Sequence, residues 1–247
     1  MNMADDACYV VTGATGGIGS EVAKRLLARG ESVVLTGRDA TKLAAWTETS
    51  DRAVPVRVDL SEPGALRVLT EAITERFAGV KGFVHAAGMD CAAPLAMTSP
   101  EEMMRLFAVH AGFALSFLGW LGRKKNHVPG TSCVLISSLA AHEGAKGHAA
   151  YAAAKGAVEG LLKPAAAELA GGGIRVNAVV AGIVETAMSR NWLKRLTPEQ
   201  RAALAATYPF GFGTAEDVAD AIDFFLSPAS RWVTGQTLVC DGGHTVA

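Results

Sequence analysis

The stretch TGATGGIG, residues 12–19, lies between a run of aliphatic residues and an amphipathic segment. Glycines at a strand-to-helix junction let the backbone approach a phosphate group, whose charge then lies at the positive end of the helix. The glycines here are Gly13, Gly17 and Gly19, so the first two are one residue further apart than in the G-x-G-x-x-G pattern. The stretch predicts a first strand, a phosphate-binding loop and a helix that starts near Gly17.

The remainder of the chain continues this alternation of short aliphatic runs and amphipathic segments. Such a pattern is typical of a parallel sheet covered by helices on both faces. It predicts an α/β fold with a doubly wound, seven-stranded parallel sheet, formed by one domain over residues 1–247. The strands are predicted at residues 8–12, 32–36, 54–58, 82–86, 132–137, 174–180 and 237–240.

Capping residues mark the predicted helix starts and ends. The sequence SPEE at residues 99–102 combines a capping serine, a proline in the first turn and a glutamate, which together satisfy free N–H groups. Ser61, with Pro63 shortly after it, predicts another helix start. Gly30 and residues 171–173 predict helix ends, because glycine adopts the left-handed conformation that closes a helix.

The composition is that of a folded protein with a large aliphatic core. Of the 247 residues, 50% are hydrophobic and only 6% are aromatic. The formal net charge is -1, and the one dense basic run, residues 123–125, is expected at a solvated helix end. A nucleic acid or an anionic membrane requires a concentrated basic surface, so neither is expected as a partner.

Neither an export signal nor a membrane span is predicted. The N-terminal sequence MNMADD is acidic and lacks the basic-then-apolar order of a signal peptide, so a cytoplasmic location is expected. The long uncharged stretch Leu106 to Gly122 is shorter than the roughly 20 apolar residues that span a bilayer, and we expect a buried or subunit-facing helix. The scattered cysteines, without a C-x-x-C pair, predict free thiols, with neither a metal site nor a disulfide.

One segment, residues 184–212, interrupts the alternation between the sixth and seventh predicted strands. Its pattern is helical, but it contains Pro198 and Pro209. Ligands of open α/β sheets bind at the carboxyl ends of the strands, and a segment that leaves the sheet here would lie over that edge. We therefore expect it to cover a substrate, the alternative being a surface insertion without function.

Tyr151 and Lys155 are four residues apart on a predicted helix, so their side chains project from the same face. An ammonium beside a phenol favours the phenolate and is expected to lower the tyrosine pKa from about 10, which makes the tyrosine a usable proton carrier. Ser138 ends the fifth predicted strand, where its hydroxyl can reach the same reacting oxygen. A Y-x-x-x-K pair alone is weak evidence, because most chance occurrences are surface pairs.

Five motifs share their order and spacing with one protein family. They are TGATGGIG, the strand-ending ISS with Ser138, the Tyr151-x-x-x-Lys155 pair, VNAVVAGIVET at 176–186 and GQTLVCDGG at 235–243. Together they resemble the short-chain dehydrogenase/reductase family over nearly the whole chain. The resemblance implies a doubly wound Rossmann fold and hydride transfer between a nicotinamide cofactor and a carbonyl or alcohol carbon.

The resemblance also implies roles at the matching positions. Tyr151 would exchange a proton with the substrate oxygen, and Ser138 would stabilise charge on that oxygen. Lys155 would bind the nicotinamide ribose and hold the tyrosine pKa down. Asp59 would accept a hydrogen bond from the adenine amino group, or alternatively cap its own loop. The implied cofactor-binding residues are Gly13, Thr15, Gly16, Ile18, Arg38, Asp59, Leu60, Ala87, Gly88, Tyr151, Lys155, Ile183, Val184 and Thr186.

The residues that follow the second strand bear on the choice of cofactor. Rossmann proteins that prefer NAD place an acidic residue there for the ribose hydroxyls, whereas a cation accommodates the 2′-phosphate of NADP. Here that position is Gly37, followed by Arg38, which can pair with the phosphate and stack on adenine. NADP(H) is therefore the preferred cofactor, with NAD(H) possible, because Asp39 could neutralise Arg38 instead of merely capping the next helix.

Two histidines stand where the family carries asparagine. His85, in the sequence HAAG at residues 85–88, replaces an asparagine that ties the centre of the sheet together, and we expect it to replace the hydrogen bonds too. His110 replaces an asparagine that holds a water in a proton relay behind the lysine. Imidazole titrates near neutral pH, so His110 is a substitute catalytic relay, a packing residue in a slower enzyme, or the mark of a site without turnover. The retained serine, tyrosine and lysine argue against the last of these.

The leading hypothesis is an NADP(H)-dependent, ketoreductase-like enzyme for a small carbonyl or alcohol substrate, such as a 3-oxoacyl, steroid or sugar ketone. The alternative is a non-catalytic dinucleotide-binding subunit or sensor, which His110 suggests. Family members are commonly dimers or tetramers built on the long helices around the serine strand, so a homodimer or homotetramer is implied. His142 and His148 are expected either to edge the substrate pocket or to be plain loop residues.

Overall fold

A parallel sheet of seven strands forms the centre of the protein. The computed structural model describes residues 7–247. Its strands are β1 Ala7–Thr12, β2 Val33–Gly37, β3 Ala53–Arg57, β4 Gly79–His85, β5 His127–Ser138, β6 Arg175–Ala181 and β7 Thr237–Cys240. They pair in the order β3-β2-β1-β4-β5-β6-β7. The strand order changes direction between β1 and β4, which opens the crevice in which open α/β sheets bind ligands.

Helices pack on both faces of this sheet. Val10 and Val11, adjacent on β1, point into two different hydrophobic clusters, since successive strand residues face opposite sides. Phe117 and Leu162 complete one cluster, and Ile222 belongs to the other. The helices are α1 Gly17–Ala28, α2 Ala40–Thr49, α3 Ala65–Thr74, α4 Pro100–Phe107, α5 Phe113–Leu121, α6 Ala149–Ala170, α7 Ala187–Leu193, α8 Pro198–Ala206 and α9 Ala215–Leu226.

The predicted α/β class, the seven strands and the single domain are confirmed. The largest boundary difference concerns β5, which begins at His127 and not at Ser132. Pro129 and Gly130 interrupt the aliphatic pattern there, and Gly130 has a φ of 86°, so the sequence does not resemble a strand. The sheet accommodates them through an irregular register between β4 and β5.

The helix predicted to start at Ser61 starts later, at Ala65, and that prediction was wrong. The Ser61 backbone N–H and hydroxyl both donate to Oδ1 of Asp59, so this serine holds a turn and does not cap a helix. Gly64, in the left-handed conformation, precedes α3 instead. The capping role of the serine before α4 is confirmed, because Ser99 Oγ accepts a hydrogen bond from the N–H of Glu102.

A long helix made of α4, a π-helical turn and α5 carries the uncharged stretch identified in the sequence. By length and composition alone, Pro100–Leu121 could span a membrane, with a mean hydropathy of 1.4 in its most apolar window. Half of that window is buried inside the protein, as expected for a core helix. The sequence MNMADD, on which the prediction about export depends, lies outside the described residues.

Candidate active site

The glycine loop of residues 12–19 approaches two other loops closely. A Cβ atom on Gly13 would lie 2.7 Å from the backbone N of Ala87, and Gly13 also has a φ of +69°. A Cβ on Gly17 would lie 2.5 Å from the side chain of Thr186. Only glycine fits at both positions. The loops after β1, β4 and β6 therefore converge at one edge of the sheet and form a cradle that a dinucleotide pyrophosphate fits.

A cavity of about 610 Å³ opens at this edge. Its volume is ordinary for a small-molecule or cofactor site. Every residue that the sequence assigned to catalysis or cofactor binding lines it, namely Gly13, Thr15, Gly16, Ile18, Arg38, Asp59, Leu60, Ala87, Gly88, His110, Ser138, Tyr151, Lys155, Ile183, Val184 and Thr186.

Arg38 lines the cavity end next to β2 and β3, and Arg57 lies beside it. A Cβ on Gly37 would lie 2.8 Å from the side chain of Thr15, so an acidic residue there would require that side chain to move. Asp39 accepts a hydrogen bond from the N–H of Lys42 and caps α2, which decides between the two roles left open for it. The Arg57 Nε donates to the backbone oxygen of Arg38, 3.2 Å away. Sequence reasoning missed Arg57, because only strand pairing places it opposite Gly37.

Asp59 lines the same end of the cavity. Its Oδ1 accepts two hydrogen bonds from Ser61, so the aspartate does stabilise its own loop. Burial opposes the charged form, but those bonds and the charges of Arg38 and Arg105 hold the pKa of Asp59 below its usual value. The carboxylate is therefore ionised and able to accept further hydrogen bonds from a ligand.

Ser138, Tyr151 and Lys155 come together beside the end of β5. Ser138 is the last residue of that strand, and its Oγ accepts a hydrogen bond from the N–H of Ala140, 3.2 Å away. Tyr151 and Lys155 lie one turn apart near the start of α6. The Lys155 Nζ donates to the backbone oxygen of Ile136 at 2.8 Å and lies 5.7 Å from the centre of the Tyr151 ring.

The net effect of the surroundings of Tyr151 is to raise its pKa, so the sequence-based expectation of a lowered pKa was wrong. Burial raises the pKa of the phenol to about 12, against the opposing effect of the Ser138 hydroxyl. Burial also lowers the pKa of Lys155 to about 7. A low-dielectric environment penalises phenolate and ammonium alike, so burial favours the neutral form of both groups. Tyr151 is therefore a phenol at neutral pH, and Lys155 is partly neutral.

His110 lies in the π-helical turn Ala108–Gly112, a rare conformation that is frequent at functional sites. Its Nε2 is 2.9 Å from the backbone oxygen of Met89, and its ring meets the Tyr151 ring edge-on, with the centroids 5.5 Å apart. A Cβ on Gly88 would lie 2.8 Å from the imidazole of His110. Only glycine at position 88 therefore leaves room for this ring. Burial, helped by the charge of Lys155, lowers the pKa of His110 to about 2.

His85 connects the sheet to this π-helical turn, as expected for a residue that replaces the hydrogen bonds of an asparagine. Its Nδ1 is 2.9 Å from the Thr12 hydroxyl, and its Nε2 is 3.0 Å from the backbone oxygens of Val109 and His110. Carbonyl oxygens only accept, so Nε2 carries the proton and Nδ1 accepts from Thr12. The Thr12 oxygen in turn accepts from the N–H of Ala87, which fixes the loop that borders Gly13.

The segment 184–212 forms α7 and α8 and contributes apolar walls to the cavity. Its lining residues are Met188, Trp192, Leu204 and Tyr208. Of the two loop histidines, His148 lines the cavity, whereas His142 turns away and contacts the Glu159 carboxylate at 3.0 Å. Glu143 and His244 also line it, although they are far apart in sequence and nothing in the pattern links them.

Fold and site together define an α/β oxidoreductase that uses a nicotinamide cofactor. A protein-family model described as enoyl-(acyl carrier protein) reductase matches residues 13–245. The chain belongs to the short-chain dehydrogenase/reductase family, whose members act on CH–OH and C=O groups.

Several characterised proteins are similar over almost their full length. The 2-(R)-hydroxypropyl-CoM dehydrogenase of Xanthobacter autotrophicus is 34% identical, over 96% of this chain and 97% of the relative. The 3beta-hydroxysteroid dehydrogenase 1 of Eggerthella lenta is 36% identical, over 96% of this chain and 93% of the relative. The structure of a 3-ketoacyl-(acyl-carrier-protein) reductase from Brucella melitensis, complexed with NADH, superposes with a TM-score of 0.84 at 26% identity, over 98% and 99% of the two chains.

Proposed function

We propose that this protein is an NADP(H)-dependent oxidoreductase that transfers a hydride between the nicotinamide and a carbonyl or secondary alcohol carbon of a small, ketoreductase-type substrate. The observation that carries the proposal is the meeting of Ser138, Tyr151 and Lys155 in the cavity that the glycine loop also lines. When bound, the nicotinamide supplies or accepts the hydride. The chain's own residues bind and orient both reactants and move the proton.

In this proposal the three side chains have separate tasks. The Tyr151 hydroxyl gives its proton to the substrate oxygen in reduction and takes it back in oxidation. The Ser138 hydroxyl donates a hydrogen bond to the same oxygen and stabilises its developing charge. Lys155 is anchored through the Ile136 carbonyl, which leaves its other N–H donors for the cofactor ribose. An anionic cofactor that favours the ammonium would bring the tyrosine pKa down from its high value.

The preference for NADP(H) is supported by Arg38 and Arg57. Among residues 7–247 neither arginine forms an ion pair with a carboxylate, and the Arg57 side chain donates to the backbone oxygen of Arg38. Arg38 lines the cavity and Arg57 lies beside it, so two cations are close to the position proposed for a doubly charged 2′-phosphate. The crowding of Gly37 against Thr15 opposes the acidic residue that NAD would require. NAD(H) is the second cofactor in this proposal, since a related structure contains NADH.

We assign His110 to the catalytic site as a neutral neighbour of Tyr151. With a pKa near 2, its ring carries no charge at neutral pH and can only donate one hydrogen bond and accept another. His110 lines the cavity, and its Nδ1 is buried without a protein partner among residues 7–247. Of the three roles considered from the sequence, a ring that stays neutral at neutral pH favours the packing residue over the substitute proton relay.

The segment 184–212 is proposed to cover the substrate, which its apolar lining residues support. We also propose that the protein is a cytoplasmic homodimer or homotetramer. The exposed methionines 103 and 104 and Leu115 give the outer face of α4 and α5 an apolar surface that a second copy could bury. Neither a nucleic acid nor a membrane is part of the proposal.

Turnover assays distinguish this function from the non-catalytic alternative. We expect purified protein to oxidise NADPH with at least one member of a panel of 3-oxoacyl thioesters, ketosteroids, keto-sugars and quinones. If no substrate in the panel caused NADPH oxidation above background, the proposed enzymatic function would be contradicted. If Tyr151→Phe preserved the cellular role while Gly13→Val abolished it, the protein would act by binding the dinucleotide alone.

A further inference from the structure

His244 joins three segments of the chain at the wall of the cavity. Its Nε2 lies 3.0 Å from a carboxylate oxygen of Glu143, in the loop after β5. Its Nδ1 lies 2.9 Å from the backbone oxygen of Thr207, which follows α8. The ring of Tyr208 stacks on the imidazole, with the centroids 4.2 Å apart and the planes 12° apart. We call Glu143, Thr207, Tyr208 and His244 the clasp.

The polar partners of His244 are a carboxylate oxygen of Glu143 and the backbone oxygen of Thr207, both of which only accept hydrogen bonds. A hydrogen bond to the Glu143 carboxylate is charge-assisted and therefore stronger than a neutral one. Asp241, in the same C-terminal turn, accepts hydrogen bonds from the backbone N–H groups of Gly243 and Thr245 and so orders the turn that carries His244.

The position of the clasp follows from the sheet order. Glu143 follows β5 and His244 follows β7, whereas Arg38 follows β2, on the other side of β1 and β4. The clasp thus lies at the cavity side away from the arginines. Glu143, Tyr208 and His244 all line the cavity, together with Trp192 and Leu204 of the segment 184–212.

We propose that Glu143 and His244 are specificity-determining residues. They fasten the end of α8 across the cavity and thereby limit the length of the ketone that fits beside Tyr151. This inference rests on the proposed reductase function. A short ketone fits between the apolar side chains of Met188, Trp192 and Leu204 without disturbing the clasp. A longer ketone must break the contacts of His244 before it can bind.

The first test compares substrates of graded length. Wild type, His244→Ala and Glu143→Gln are assayed with straight-chain 2-ketones from butanone to dodecanone. We expect both variants to raise the ratio of kcat/KM for the longest over the shortest ketone by about tenfold, the scale of one charge-assisted hydrogen bond. Glu143→Gln keeps the shape of the side chain. An effect that it shares with His244→Ala therefore cannot be attributed to a folding defect in His244→Ala.

Arg201→Ala is the matched control. Arg201 forms an ion pair with Glu185 at 3.3 Å within the same segment, but neither residue lines the cavity. We expect the length ratio of this variant to equal that of the wild type. An equal rise in the control, or no rise in the clasp variants, would overturn the inference.

Amide hydrogen exchange of residues 198–208 provides a readout that does not depend on turnover. We expect faster exchange there in His244→Ala and Glu143→Gln than in the wild type or in Arg201→Ala. Unchanged exchange in both clasp variants would refute the proposal that the clasp holds the end of α8 in place. Failure of the wild type to reduce any ketone, with the exchange difference present, would instead refute the proposed function and leave the fastening established.

Discussion

Arg38 and Arg57 provide the most direct residue-level test of cofactor choice. Each arginine is expected to donate charge-assisted hydrogen bonds to the 2′-phosphate, worth about 1.5–3 kcal/mol. Replacing either arginine by alanine should therefore weaken NADPH binding by about 10- to 100-fold and leave NADH binding unchanged. Titration of the reduced nicotinamide fluorescence measures both affinities.

Arg67→Ala is the control for this pair, because Arg67 lies on α3 in an exposed ion pair with Glu71. Its NADPH affinity should equal that of the wild type. Equal losses of NADPH and NADH affinity in Arg38→Ala and Arg57→Ala would contradict a phosphate-specific role.

His110→Asn tests whether the histidine titrates during turnover. The pKa of about 2 keeps the ring neutral throughout the usual assay range, so its removal takes away no titrating group. We expect the shape of the pH profile of kcat to be unchanged, with a loss in kcat below the roughly 100-fold that marks a lost general acid or base. A pKa that disappears from the profile would identify His110 as a proton relay after all.

The sequence predicts most residues of the site because each belongs to a motif with its own local context. Tyr151 and Lys155 lie on one helix face, and the glycine loop follows a recognisable strand. Arg57 and His244 carry no such signal, since strand pairing places Arg57 opposite Gly37 and the packing of the C-terminal turn brings His244 to the cavity. The direction of the Tyr151 pKa shift was mispredicted because spacing along a helix does not indicate burial.

At the level of elements, His85 connects β4 to β1 and to the turn between α4 and α5. Burial lowers its pKa to about 4, whereas an unfolded chain has a histidine pKa of about 6.5. Below about pH 6.5 the unfolded chain takes up a proton that the folded protein does not accept. The stabilisation from the neutral ring is therefore complete above that pH and is lost as the pH falls towards 4.

His85→Asn should make the free energy of unfolding less dependent on pH in this window. At 1.36 kcal/mol per pKa unit, the His85 contribution is at most about 3 kcal/mol. Urea unfolding of wild type and variant at a series of pH values measures it. Val109→Ala, which removes buried side-chain atoms without a titrating group, should lower stability at every pH equally. An unchanged slope in His85→Asn would contradict the buried neutral histidine.

Element types were easier to predict than element boundaries. The seven strands are short aliphatic runs between helix signals, and this pattern survives local irregularity. The start of β5 could not be predicted, because Pro129 and Gly130 are compatible with the sheet only through the irregular pairing with β4. The predicted start of α3 was wrong because Ser61 donates to Asp59 in a local turn, and this hydrogen bonding competes with capping of a helix.

For the whole molecule, we expect light scattering to give a dimer or a tetramer. Leu115 is 58% exposed on α5, and a glutamate there would place a charge in the proposed subunit interface. Leu115→Glu should therefore reduce the number of subunits. Val68→Glu, at a 39% exposed position on α3, is the control and should leave the mass unchanged. A monomeric wild type would contradict the proposed assembly.

The assembly of the cavity is the feature of the whole molecule that the sequence predicts least. The carboxyl ends of the strands were expected to form the site, and the segment 184–212 was expected to lie over it. How closely that segment approaches, and what fastens it, depends on contacts between residues as distant as Glu143 and His244. Such contacts leave no periodicity in the sequence.

Transfer of deuterium from labelled cofactor tests the central claim most directly. Protein is incubated with a reducible ketone and NADPH carrying deuterium on one or the other face of C4, and the alcohol is analysed by mass spectrometry. We expect the wild type to transfer deuterium from one face to the carbinol carbon, and Tyr151→Phe to do so at least about 100-fold more slowly at saturating NADPH. Alcohol without deuterium from either face, or an undiminished rate in Tyr151→Phe, would contradict it.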